Sequence, residues 1–427
     1  MTIINEKSIK KDGYTLHIVK TDKFKTNMLV WKMRAPLTED TVTLRALLPN
    51  VLESSTKQYP TTTALRSHLD ELYGANFFVD LSKKGENHIM SFTVEIANEK
   101  FLKDTTPLLQ KGIDFLTDVI LHPNVENDAF HADTVEKEKR NLKQRIQSIY
   151  NNKMRFANKR LIAEMCKEEP YALDVNGKIE KVDEITAKTL FDYYRKALAE
   201  DELDLYVIGD VDEQQVSELC EEQLSFDERE PISRTTINSV SVNKVKEIKD
   251  NQDVKQGKLN IGYRTNIRYG DDDYFALQVF NGIFGGFSHS KLFINVREKA
   301  SLAYYASSQI ESHKGLLIVM SGIEFENYEK TTGIIHKQME AMKKGDFSEI
   351  EIEQTKAVIK NQLLETIDTA RGSVEVLYHN VIANETISVD DWLQRIDEVK
   401  QEDIIAVAEK INLDTVYFLT GLEEDKA

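Results

Sequence analysis

The sequence of 427 residues has few cysteines, few prolines and a deficit of basic side chains, and each shortage excludes a class of protein. Cys166 and Cys220 are its only cysteines. Two thiols provide neither a disulfide framework nor a metal cluster, which is typical of a cytoplasmic protein. The 55 Lys and Arg residues against 72 Asp and Glu residues give a net charge of −17 at pH 7. Nucleic-acid phosphates bind to basic surfaces, so this balance argues against a nucleic-acid partner.

Long hydrophobic runs are also missing. No apolar stretch reaches the roughly 18 residues that suggest a membrane span, and the polar segment 1–11 lacks the apolar core of a signal peptide. Hydrophobic residues make up 41% of the chain and charged residues 30%, which is ordinary for a globular protein. At about 150 residues per domain, the length predicts two or three domains. The sequence therefore predicts a cytoplasmic globular protein without a membrane partner.

The first and second halves of the chain show strand and helix patterns in the same order. Short apolar runs that end in glycine stand at 204–210 and 414–421, and their glycines are 421 − 209 = 212 residues apart. Each run is typical of a buried strand followed by a turn. Strand patterns at 89–96 and 316–322 are each followed by two long charged helical stretches, at 98–120, 126–167, 325–344 and 348–384. The sequence predicts an α+β fold of two tandem similar αβ halves, each with an antiparallel-rich sheet packed with helices.

The periodic patterns lapse near residue 226 and resume near residue 245. We therefore predict an N-terminal half at 1–226, a linker at 227–244 and a C-terminal half at 245–427.

The residues that could carry chemistry do not form a complete site on their own. The nine histidines include no pair at i, i+4 and no His-Glu-x-x-His motif. His336 and Glu340 lie one helical turn apart, but the lysines around them favour a solvated helix face. Cys166 and Cys220 lie in helical apolar patterns that are typical of small core residues rather than nucleophiles.

A glycine cluster stands at 282–286. It lacks the Gly-Lys-Ser/Thr ending of a phosphate-binding loop. Gly282, Gly285 and Gly286 instead predict a tight turn before a helix whose first residue, near Ser288, would cap it.

The segment 285–304 reads Gly-Gly-Phe-Ser-His-Ser-Lys-Leu-Phe-Ile-Asn-Val-Arg-Glu-Lys-Ala-Ser-Leu-Ala-Tyr. It resembles a signature in the second half of the inverzincin peptidases, the group of pitrilysin, insulin-degrading enzyme and the mitochondrial processing peptidases. That signature contains Gly-Gly, Ser and Leu-Phe, followed by Val-Arg-Glu-Lys-x-Gly-Leu-Ala-Tyr. The resemblance covers nearly the whole chain. It implies the family's tandem αβ halves, which form one half of a peptidase clamshell.

The same resemblance aligns the family's zinc motif, His-x-x-Glu-His, with the segment 48–55. Asn50 and Ser54 stand in place of the two histidines, whereas Glu53 retains the general base. On the helical stretch 134–145, Arg145 takes the place of the third ligand, a glutamate, and Glu138 matches an upstream acidic position. A unit charge about 4 Å from a like charge costs about 4 kcal/mol near the surface, and a divalent ion roughly doubles that. The resemblance thus implies that this chain binds no metal, and we expect Arg145 to pair with Glu53 and replace the charge of the metal.

An arginine and a tyrosine in the family's second half bind the substrate backbone and the tetrahedral intermediate. The matching residues are Arg297 and Tyr304, whose donors suit charge that develops on a carbonyl oxygen. In a purely structural interpretation, Arg297 forms an ion pair with Glu298 or another acid, and Tyr304 is an ordinary strand residue. The resemblance implies a noncatalytic subunit, inactive alone, that pairs with a zinc-bearing paralogous subunit and presents Arg297 and Tyr304 to a peptide substrate. Glu53 would then be an idle remnant.

Two alternatives stay open. A noncatalytic scaffold or peptide-binding protein of the same fold would keep the chamber only for assembly. A self-sufficient zinc peptidase would need Asn50, Ser54 and a shifted Glu136 or Glu138 to replace imidazole ligands.

Overall fold

The computed structural model describes residues 3–103, 106–226, 229–232 and 239–422, and its elements fall into two groups. The strands of the first group are β1 (Glu6–Lys10), β2 (Thr15–Lys20), β3 (Thr26–Pro36), β4 (Asn76–Lys84), β5 (Asn87–Ala97), β6 (Val125–Glu126), β7 (Ala129–Phe130) and β8 (Glu202–Gly209). Its helices are α1 (Val42–Ser54), α2 (Thr62–Glu71), α3 (Leu108–Leu121), α4 (Ala132–Asn151), α5 (Lys153–Met165), α6 (Ile179–Val182), α7 (Ala187–Glu200) and α8 (Glu213–Gln223).

The second group follows the same plan. Its strands are β9 (Lys246–Asn251), β10 (Gly257–Arg264), β11 (Ala303–Glu311), β12 (Leu316–Ile323) and β13 (Asn412–Thr420). Its helices are α9 (Tyr274–Asn281), α10 (Tyr328–Lys343), α11 (Glu349–Ile367), α12 (Ala370–Ala383), α13 (Val389–Glu398) and α14 (Gln401–Lys410). Two π-helical segments, Gly282–Gly286 and Phe293–Lys299, come between α9 and β11. None of the described helices is long and apolar enough to cross a membrane.

The two main sheets repeat each other strand for strand. The first has the order β1-β2-β8-β3-β5-β4, and the second has the order β9-β13-β10-β12-β11, which matches β2-β8-β3-β5-β4. Each contains one parallel pair, β2 with β8 and β13 with β9, and is otherwise antiparallel. The predicted α+β fold of two similar halves is confirmed. Residues 227–228 and 233–238 of the predicted linker lie outside the described residues, and the boundary at 226 stays a prediction.

Each sheet is covered on one face by a helix from the other group. Side chains of α12, including Leu377 and Tyr378, pack against Met28 and Val30 of β3. The alternate residues of β3, such as Trp31, face the helices of the first group, so β3 is buried on both faces. In the same way, α5 packs on β10 and β13 of the second sheet. The two groups are therefore joined by an exchange of helices.

Buried ion pairs strengthen this junction. Lys314 lies in the turn before β12; its side chain is 2% exposed and contacts both Glu86 and Glu169. Arg264 of β10 pairs with Glu169 and, from Nε to Oδ2 at 2.8 Å, with Asp414. Charges that are this well buried are stable only when paired, so the junction depends on the complete set.

The structure corrects two local predictions. The predicted helix 98–120 begins only at Leu108, because Pro107 lacks an N–H group and disfavours helical backbone before it. The glycine cluster is not a tight turn but a π-helical continuation of α9. A side chain at Gly285 would lie 2.8 Å from the backbone nitrogen of Ser308, so glycine allows this segment to pack on β11. Ser290, rather than Ser288, accepts the hydrogen bond from Phe293 N at 3.3 Å.

Candidate functional site

The predicted zinc position lies where α1 packs against α4. Asn50, Glu53 and Ser54 are spaced i, i+3 and i+4 on α1, so they share one face of that helix. Glu138 and Arg145 lie two turns apart on α4, on the face that also buries Leu142. The structure therefore brings all five of these side chains to one junction between two helices.

Asn50 and Ser54, which align with the two histidines of the family's motif, each have a partner on α4. Ser54 Oγ lies 3.2 Å from Glu138 Oε1 and 2.9 Å from the carbonyl oxygen of Asn50. Arg145 Nη1 donates to Asn50 Oδ1 at 3.3 Å. Glu138 therefore faces Ser54, and Arg145 faces Asn50.

Arg145 does not form the expected ion pair with Glu53. Its Nε donates to Asn176 Oδ1 and its Nη2 to the carbonyl oxygen of Ala46, each at 2.9 Å. With the bond to Asn50, these bonds occupy three of the five N–H donors of the guanidinium. No ion pair within 4.0 Å joins Arg145 to Glu53 in the described part of the chain. The negative charge of Glu53 still acts on the guanidinium from farther away. The arginine therefore ties α4 to α1 through neutral acceptors.

Glu53 lines a cavity of about 460 Å³ beside this junction. Burial raises the pKa of its carboxyl to about 7, and repulsion from Glu138 adds to the rise. Arg66, Arg145 and Lys137 act in the opposite direction. A carboxyl that titrates near neutral pH can exchange protons with a bound molecule. The carboxyl of Glu53 therefore changes its charge near neutral pH.

The residues at this position do not fit a zinc ion. An amide and a hydroxyl replace the imidazoles, and Arg145 places a guanidinium 3.3 Å from the first of them. Glu138 already accepts hydrogen bonds from Ser54 and, at 2.9 Å, from Asn141 Nδ2. No group of three or more His, Cys, Asp or Glu side chains is placed to hold a metal anywhere in the described ranges. Zinc prefers imidazole, thiolate and carboxylate ligands, and this donor set offers too few of them.

Arg297 and Tyr304 lie on two elements that contact each other, a π-helical segment and the edge strand of the second sheet. Arg297 is an exposed residue of the π-helical segment Phe293–Lys299, and its guanidinium carbon lies 4.6 Å from the ring centre of Phe293. Tyr304 is 79% exposed and lies on β11, the edge strand, where the register with β12 shifts between Ala303 and Ala306. Such a bulge changes the direction of a side chain. The segment therefore presents both side chains to solvent.

The structural interpretation of Arg297, as one partner of an ion pair, is not supported. No ion pair within 4.0 Å joins Arg297 to Glu298 or to any other acid in the described residues. Ser301, between Arg297 and Tyr304, has a left-handed φ of 52°, a conformation that costs energy for a non-glycine residue and is common near functional sites. No described contact joins this pair to Glu53 or Arg145, so the chain carries two separate groups of predicted site residues.

Both cysteines are free and buried, as predicted for core residues. Burial raises the pKa of each thiol to about 12, which suits neither a nucleophile nor a metal ligand.

Known proteins are similar to this chain in sequence. A model described as peptidase M16 inactive domain matches residues 184–359. The "Probable inactive metalloprotease YmfF" of Bacillus subtilis (strain 168) is 57% identical over 429 residues, which cover 99% of each chain. The chain belongs to the M16 peptidase family. It is an inactive-metalloprotease-like member, and the resemblance to the inverzincins is confirmed.

Two solved structures are similar to this chain in fold. A crystal structure of a conserved protein from Enterococcus faecalis V583 is 38% identical with a TM-score of 0.91, and covers 98% of this chain and 99% of its own. A protease from Helicobacter pylori is 16% identical with a TM-score of 0.82, and covers 98% of this chain and 100% of its own. The likeness to the second structure shows the fold alone.

Proposed function

We propose that this M16 chain is the zinc-less subunit of a two-chain peptidase. In this proposal it pairs with a zinc-bearing paralogous subunit, which supplies the metal and the general base. Arg297 and Tyr304 of this chain bind the backbone of a peptide substrate in the shared chamber and stabilise the charge on its scissile carbonyl oxygen. The chain alone is then inactive, and Glu53 is idle.

The observation that carries the proposal is the contrast between the two groups of site residues. The position that aligns with the family's zinc motif has no imidazole and contains a guanidinium. Arg297 and Tyr304 are exposed in a strained, bulged segment, and Arg297 forms no ion pair with any acid in the described ranges. A folded monomer gains little from an exposed tyrosine beside an unpaired arginine. Both residue types are enriched where proteins bind partners or ligands. Their donors also suit a developing oxyanion.

The relatives add support for a division of labour. Bacillus subtilis (strain 168) holds the "Probable inactive metalloprotease YmfF" and also an "Uncharacterized zinc protease YmfH". The second is 29% identical to this chain over 165 residues, 37% of this chain and 36% of its own. A genome that keeps both kinds of chain can supply both subunits. We place the pair in the cytoplasm because both thiols of this chain are free and buried.

The test is to purify the chain, measure its zinc content, and assay hydrolysis of an unstructured peptide with and without a zinc-motif paralogue from the same source. We expect no zinc and no activity for the lone chain, and activity in the mixture. In the mixture, Arg297→Ala and Tyr304→Phe should each lower kcat by about 100-fold or more, the effect of removing one oxyanion donor.

Matched controls lie beside each residue. Lys299→Ala removes a neighbouring exposed cation from the same segment, and Tyr305→Phe removes a neighbouring phenol that is buried. Both should leave kcat within about twofold. If Arg297→Ala and Tyr304→Phe retain full activity while the pair assembles, the chain is a scaffold or peptide-binding module. Stoichiometric zinc in the active lone chain would overturn the proposal altogether.

A further inference from the structure

Phe293 begins the π-helical segment that carries Arg297 and precedes it by four residues. Residues at this spacing share one face of a helix. The guanidinium carbon of Arg297 lies 4.6 Å from the centre of the Phe293 ring, which is within the range of a cation–π contact. No hydrogen bond or ion pair within the described ranges holds this guanidinium. The aromatic ring is therefore the group that orients it.

The core of the second group fixes the segment from its opposite side. Leu292 and Val296, which directly precede Phe293 and Arg297, are fully buried in that core. Phe293 itself is only partly buried and Arg297 is exposed, so the two lie on a neighbouring face that is open to solvent. A phenylalanine stabilises a fold mainly through burial of its ring. The partial exposure of Phe293 therefore has a cost, which a role for its ring at the surface would offset.

An exposed arginine needs support of this kind if it is to act on a developing charge. Its long side chain has many rotamers in solvent, and a misplacement of about 1 Å at a reacting centre can cost about 100-fold in rate. A carboxylate partner would hold the N–H donors in strong hydrogen bonds. The negative face of an aromatic ring attracts the cation without such bonds. A ring can therefore orient the guanidinium and leave its donors available to a ligand.

We propose that Phe293 is a positioning residue, whose ring holds the guanidinium of Arg297 in the orientation that binds the scissile carbonyl oxygen. Because Phe293 acts through Arg297, this role rests on the proposed function. The simpler alternative is a surface pair that only stabilises the segment by a small amount. Loss of such a pair would lower the free energy of unfolding but would leave kcat unchanged. The turnover of the assembled pair therefore separates the two roles.

The test measures kcat of the full chain mixed with its zinc-motif paralogue, on an unstructured peptide. A trifluorinated phenylalanine, introduced at position 293 by codon suppression, nearly keeps the shape of the ring but withdraws the negative charge from its face. We expect kcat to fall about fivefold or more, the change that corresponds to a cation–π contact partly shielded from water. Phe293→Leu should lower kcat at least as much. Phe293→Trp should keep kcat within twofold, because tryptophan offers the strongest cation–π face.

Two controls show whether the ring acts through the arginine. In the Arg297→Ala background, fluorination at position 293 should leave the residual kcat within twofold. The same fluorinated residue in place of Phe101, which is exposed in the first group, should have no effect.

The failure of this role is distinguishable from the failure of the proposed function. Full activity of Arg297→Ala in the assembled pair would overturn both. A large loss in Arg297→Ala, with an unchanged kcat after fluorination at position 293, would overturn the role of Phe293 alone. An equal loss from fluorination with and without Arg297 would also overturn it, because the ring would then act on the substrate directly. Fluorination decides if Phe293→Leu fails to fold.

Discussion

Replacement of Glu53 by Gln should stabilise the protein at high pH and have no effect at low pH. Burial and Glu138 raise the pKa of Glu53 from its ordinary 4.5 to about 7. The folded state then binds its proton more tightly than the unfolded state, so the free energy of unfolding falls as pH rises between these two values. At about 1.36 kcal/mol per pKa unit, ionised Glu53 costs at most about 3 kcal/mol above pH 7. Gln has the shape of the neutral acid and avoids this cost.

The measurement is urea unfolding of the wild type and Glu53→Gln across a pH series from acid to mildly alkaline. The free energies of unfolding should agree near pH 4 and differ by about 2–3 kcal/mol in favour of the variant near pH 8. Glu138→Gln provides an internal check, because removal of the second carboxylate should shrink the difference. Glu126→Gln, an exposed acid, should give no pH-dependent difference. A wild type whose advantage over Glu53→Gln grows with pH would refute the reasoning.

Three further predictions concern the metal position, the junction and the thiols. The double variant Asn50→His, Ser54→His should bind zinc at least tenfold more weakly than the triple variant that also carries Arg145→Ala, because the guanidinium repels the ion. Competition with a chromophoric chelator measures the two zinc affinities, and equal affinities would contradict this prediction. Lys314→Met leaves the buried carboxylate of Glu86 without its cation, whereas Glu169 keeps Arg264. The variant should lower the free energy of unfolding by about 3–5 kcal/mol; a loss in urea unfolding below about 1 kcal/mol would be inconsistent with the junction described. Both cysteines should react with a thiol reagent at pH 8 only as the chain unfolds, because burial raises their pKa to about 12; rapid reaction of the folded chain would argue against their burial.

Much of the fold could be predicted from the sequence because strand patterns are local. The apolar runs at 204–210 and 414–421 became β8 and β13, which occupy matching places in the two sheets. The charged stretches 126–167 and 348–384 were each predicted as one helical region. The structure breaks each into two helices, at Asn152 and at Thr369, whose side chains cap the second helix.

Other features could not be predicted because they depend on distant partners. The pattern of Arg145 on α4 indicates the face it occupies, but not that Asn176 and the carbonyl of Ala46 compete for its donors. The two ion pairs of His17 have no signal in the sequence, because Glu6, His17 and Asp204 meet only through the pairing of three strands. Likewise, nothing in the sequence of β3 indicates that α12 covers one of its faces.

The exchanged helices have a consequence for synthesis on the ribosome. The last strand of the first sheet ends at Gly209, but the helix that covers its second face ends at Ala383, which is 383 − 209 = 174 residues later. At about 5–20 residues per second, that face stays uncovered for roughly 10–35 s of translation. It carries Met28, Val30 and Ile208, an apolar surface that other nascent chains could bind. We therefore expect chaperones that bind apolar surfaces to protect this face of the growing chain until translation reaches α12.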